Sequence, residues 1–142
     1  MKAFTLIEII MVIALVSILA SATTPFLSSF ILRNNWQTSG DRVMSELRKA
    51  QNYATGGKLI SGSSVWGVCL TGNVFRMFNG SCVSPNFYED YQVPSGVSIT
   101  GISTVTFGNL RGEPTGPTSI DISSSLGSRT ITINSAGSIQ LQ

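Results

Sequence analysis

The 142-residue chain has no histidine, two cysteines and seven Asp+Glu, which leaves few side chains for chemistry. Without imidazole there is no Ser-His or Cys-His nucleophile pair, no two-His zinc site and no imidazole proton shuttle. Among the acids, Glu89, Asp90 and Asp121 are the ones that could be imagined as paired carboxylates or, helped by loop carbonyls, as a calcium site. Glu89-Asp90 is expected as a solvated pair in the loop around Ser84–Pro94. Asp121, flanked by Ile120 and Ile122, reads as an outward-facing strand residue. The many Ser and Thr hydroxyls have no activating base beside them, and the glycines after Thr106 form no phosphate cradle ahead of a helix. The chain does not read as an enzyme, and neither a cofactor nor a metal is expected.

Charge points the same way. Nine Lys+Arg against seven Asp+Glu give a net charge of +2, and charged residues make up 11% of the chain, under half of the roughly 25% usual in soluble domains. Arg33, Arg42, Arg48, Lys49 and Lys58 are interspersed with Asp41 and Glu46 and read as a solvated helix face rather than a nucleic-acid footprint. Trp66, Phe75, Phe78, Phe87, Tyr88 and Tyr91 could stack sugars or single-stranded bases, but core and hairpin packing is the expectation.

The elements that must position these residues begin with an apolar run. No charge occurs from Ile9 through Leu32, about 36 Å of helix at roughly 1.5 Å per residue, enough for a bilayer core of about 30 Å. Three origins compete: a removable signal peptide with an Ala20-Ser21-Ala22 cleavage site, a plain signal anchor, and a leader from which only the first residues are cut. Glu8 discriminates among them, because a carboxylate at the entrance of an apolar helix is costly. Cleavage before Phe4 would place a new α-amino group one helical turn away, where it could offset that charge.

Phe4-Thr5-Leu6-Ile7-Glu8, the apolar run and Pro25 together resemble the N-terminus of type IV pilins and type II secretion pseudopilins. The resemblance implies cleavage between Ala3 and Phe4 by a prepilin peptidase, N-methylation of Phe4, assembly through Glu8 and a helix kink at Pro25, where proline also removes a backbone hydrogen bond. Ala3 stands where the family usually has glycine. The segments Val65-Trp66-Gly67-Val68, Val74–Phe78, Val93–Val97, Thr106–Gly112 and Thr130–Ile139 are similar to H-type minor pseudopilins and related minor pilins.

The implied product is a structural subunit of a pilus or secretion pseudopilus. It would be held in the inner membrane with its C-terminal domain outside the cytoplasm and then assembled into a periplasmic or surface filament. Its implied partners are other pilin or pseudopilin subunits, the peptidase, the inner-membrane assembly platform and membrane lipid. A tip-located minor pilin binding DNA or a surface is the alternative, although nucleic acid is not expected, since no arginine follows Arg129.

The implied architecture is α+β: a leader at 1–3, a hydrophobic transmembrane and assembly helix at 4–27, and an extracytoplasmic domain at 28–142. Val43, Leu47, Ala50 and Ala54 mark an apolar stripe, so one helix from Thr5 to about Thr55 is predicted, bent at Pro25, loosened near Gly40 and stopped by Gly56-Gly57. Strands are predicted at Ser64–Leu70, Val74–Phe78, Val97–Ile102, Val105–Phe107, Ser119–Ile122, Arg129–Ile133 and Ser138–Leu141, forming an antiparallel sheet with one buried face. With the domain outside the cytoplasm, Cys69 and Cys82 are expected to form a disulfide, the alternative being a buried reduced pair.

Overall fold

The computed structural model describes residues 5–108, 111–116 and 119–142, excluding the side chains of 22–26. The chain forms two compact units, 1–34 and 35–142. A single helix, α1 (Leu6–Thr55), contributes to both.

Among the described residues, no helix is long and apolar enough to cross a membrane. This corrects the expected pilin-like architecture with a membrane-inserting first half. Leader residues Met1–Ala3 and the cleavage position Ala3-Phe4 lie outside the described residues, and so does the Pro25 side chain. Near Gly40 the helix is continuous, where loosening was predicted.

In the second unit, α1 buries a stripe of Ser39, Val43, Glu46, Leu47, Ala50 and Ala54, spaced to share one helical face. The helix ends in a glycine cap. Gly57 adopts φ +63°, Lys58 N–H donates to the Tyr53 carbonyl at 3.0 Å, and Gly57 N–H donates to the Ala54 carbonyl at 3.1 Å. This bonding pattern is the Schellman motif, which satisfies carbonyls the last turn would leave unpaired.

Beyond the helix the predicted single sheet is two antiparallel sheets. The larger comprises β1 (Trp66–Thr71), β2 (Val74–Asn79), β3 (Phe87–Gln92), β5 (Thr104–Phe107) and β6 (Pro114–Thr115), in the order β3-β2-β1-β5-β6. The smaller comprises β4 (Val97–Thr100), β7 (Ser119–Ser124), β8 (Gly127–Ile133) and β9 (Ile139–Leu141), in the order β4-β7-β8-β9. Strand β3 lies where a loop was predicted, and β6 was not anticipated.

The β1–β2 hairpin closes over two residues, since Thr71 pairs with Val74; a three-residue loop was predicted. Gly72 takes φ +60° at the first central position, where hairpin turns of type II′ need glycine. Gly67 serves a different purpose: a Cβ there would lie 2.5 Å from the Val105 carbonyl oxygen and 2.9 Å from Phe78 Cζ.

The core joins helix and sheets through Val43, Leu47, Trp66, Val68, Phe75, Val105, Ile120, Ile122, Ile131 and Ile133, all essentially inaccessible to solvent. Polar ties fix the helix on both sheets. Trp36 Nε1 donates to the Ile122 carbonyl at 3.2 Å, and Gln51 Nε2 donates to the carbonyls of Gly112 at 2.9 Å and Gly137 at 2.6 Å. Ser39 Oγ donates to the Asn35 carbonyl at 2.7 Å, so Tyr91 donates its hydroxyl proton to Ser39 across 2.9 Å.

Candidate interaction surface

The acidic residues singled out from sequence are not brought together as a catalytic pair. Glu89 and Asp90 are consecutive residues of β3 and therefore project to opposite faces. Glu89 meets Lys49 Nζ of α1, and this bond, ahead of the opposing effect of burial, raises the Lys49 pKa above its ordinary value. On the other face Arg76 grips Asp90 with both ends of its guanidinium, Nε to Oδ1 at 2.6 Å and Nη2 to Oδ2 at 2.8 Å. That hydrogen-bonded cation holds the Asp90 carboxyl below the usual carboxylate range. The Arg76 guanidinium also lies 4.6 Å from the centre of the exposed Tyr88 ring. The expected solvated loop pair is thus two cross-element ion pairs.

Asp121 is half-buried and accepts a hydrogen bond from Thr130 Oγ1 at 2.7 Å across the β7–β8 ladder. Among the described residues, no group of three His, Cys, Asp or Glu side chains gathers as a metal site. Trp66, Phe75 and Phe78 are buried, whereas Tyr88 is exposed. Cys69 and Cys82 form a disulfide with Cα atoms 6.3 Å apart, tying β1 to the segment after β2.

Glu46 differs from the expected solvated helix face. It is 3% exposed. Its Oε1 lies 2.8 Å from Arg42 Nη2, while Oε2 is buried without a hydrogen-bond partner. The residue sits three positions after Val43 and four before Ala50, so helical spacing already placed it on the buried stripe.

The first unit carries the largest apolar exposure. Eleven large apolar side chains between Leu6 and Leu19 are each at least half exposed, from Ile9 at 50% to Leu6 at 78%. At about 100° per residue these positions surround the helix axis, so the segment is apolar all round rather than amphipathic. Two of its serines bond back to the helix: Ser17 Oγ donates to the Ile13 carbonyl and Ser21 Oγ to the Ile18 carbonyl, each at 2.8 Å. Glu8 lines a groove of about 260 Å³ with Ile9, Val12 and Ile13, and among the described residues it has no ion-pair partner.

Comparisons with protein-family models, curated proteins and solved structures return no match. The identification with pilins and pseudopilins is corrected accordingly: it required a long membrane-anchoring apolar helix, and no described helix qualifies. The filament-subunit function, its tip-located variant and the single-pass inner-membrane location rested on the same helix and are withdrawn with it.

Proposed function

We propose that the chain is a non-catalytic interaction protein whose exposed apolar segment Leu6–Leu19 is a protein-contact surface. The observation that carries this reading is the all-round exposure of that segment. The exposed side chains present on the order of 1,000 Å² of apolar surface, above the largest patch of about 300–600 Å² on a typical monomer.

A non-catalytic role is supported by the separate engagement of Glu89 and Asp90 by different cations.

Sedimentation of the full chain tests the proposal. The parent should associate, and the pair Val12→Lys with Val16→Lys should shift it to monomer while tryptophan fluorescence stays native. A parent monomeric throughout the micromolar range, or association unchanged by the two lysines, would show that this segment is not an interface.

A further inference from the structure

The second unit offers a docking surface of another kind, independent of the apolar helix. Strand β3 is the edge of the larger sheet. Gly80 N–H donates to the Val65 carbonyl, and Val93 N–H donates to the Asn73 carbonyl. With the β1–β2 and β2–β3 registers, these two bonds fix the alternation of the ladder. The backbones of Phe87, Glu89 and Tyr91 face β2, so those of Tyr88, Asp90 and Gln92 point outward along the edge. Among the described residues, no hydrogen bond reaches these three backbone positions.

Beside this edge, α1 carries a groove of about 530 Å³ whose lining includes Asp41, Met44, Arg48, Lys49 and Tyr53. Lys49 pairs with Glu89 on the helix-facing side of β3, which puts the groove on that same side. A strand added to β3 would run about 4.8 Å from it, with alternate side chains directed toward the helix. Edge strands are often protected by charge. Here both edge acids are already engaged, Glu89 by Lys49 and Asp90 by Arg76, whereas Arg48 is exposed and has no ion pair among the described residues.

We propose that the free edge of β3 accepts an extended peptide strand whose central acidic side chain meets Arg48, with apolar neighbours against Met44 and Tyr53. Backbone bonds to Tyr88, Asp90 and Gln92 supply affinity, and the groove selects the inward side chains.

The probe is the peptide Ac-Thr-Val-Thr-Glu-Thr-Leu-Thr-NH2, titrated into the full chain and followed by amide hydrogen exchange. Saturable binding should slow exchange at Tyr88, Asp90 and Gln92. Arg48→Glu should weaken binding at least tenfold, and a peptide with lysine in place of its central glutamate should recover affinity for that variant. Asp90→Pro, which removes an outward N–H, should abolish binding of either peptide, with native tryptophan fluorescence verifying the fold. Absence of saturable binding, protection elsewhere than these amides, or equal affinity for the parent and Arg48→Glu overturns the proposal. So does protection of the same amides before peptide is added, which would mean that another segment already occupies the edge.

Discussion

Replacing Glu46 by methionine should stabilise the second unit. In the native protein its Oε2 is buried without a partner, and such an oxygen costs about 1–3 kcal/mol. Oε1 recovers part of this through Arg42, but the Arg42 side chain is 49% exposed, so solvent screening leaves that ion pair near the weak end of the range. Methionine keeps an unbranched chain of similar reach and removes both charge and orphaned oxygen. The net gain is about 1–2 kcal/mol. Arg42→Ala should instead cost about 1–2 kcal/mol, because it leaves a buried carboxylate without its hydrogen-bonded cation. In the Glu46→Met background the same alanine should cost nearly nothing, a coupling that a double-mutant cycle reads directly. Urea titration monitored by the fluorescence of Trp36 and Trp66 together provides the measurement, with the midpoint shifting at constant slope. Destabilisation by Glu46→Met of more than about 1 kcal/mol, or an equal Arg42→Ala cost in both backgrounds, would refute this account of the buried carboxylate.

Two further outcomes follow from the sheet. Gly67→Ala should cost about 3 kcal/mol in the same titration, the upper end for overpacking, because the nearest obstacle is the Val105 backbone oxygen of the neighbouring strand. Gly72→Ala, at φ +60° in open space, should cost only about 1–2 kcal/mol of backbone strain; equal losses at the two sites would contradict the distinction. Asp90→Asn should cost at most about 1 kcal/mol at pH 7, since the Asp90 side chain is about a third exposed. Because the folded Asp90 pKa is depressed, its contribution is present above the unfolded value of about 3.9 and is lost as pH falls through the folded value. Urea midpoints of parent and variant should converge toward pH 2, and a gap that persists there would rule out the ion pair as its source.

What could be read in advance depended on periodicity. Val43, Leu47, Ala50 and Ala54 announce the buried stripe, and Gly56-Gly57 announces its end, since both signals are local. Glu46 and Ser39 occupy the same stripe by angle but were masked by polarity: hydrogen bonds to Arg42, Asn35 and Tyr91 let them be buried. Strand β3 was hidden by Pro85 before it and by Glu89-Asp90 within it, residues with low strand propensity. The cations that make this strand tolerable, Lys49 and Arg76, arrive from other elements, so its stability is a tertiary property. The alternation of Phe87, Glu89 and Tyr91 was the available clue. At the N-terminus, a strong local motif and a long uncharged run suggested a membrane helix, whereas among the described residues no helix is long and apolar enough to cross a membrane.

The order of the strands has a consequence for how the chain acquires its structure. Strand β4 falls between β3 and β5 in sequence yet belongs to the other sheet, where its partner β7 begins at Ser119. A growing chain can therefore pair β1, β2 and β3 while Val97–Thr100 has nothing to pair with, and then must thread β5 and β6 back onto the first sheet before β7 is made. Neither sheet is encoded by a contiguous stretch. The second unit should accordingly melt in one transition, and a break in the chain between β4 and β5 would compromise both sheets.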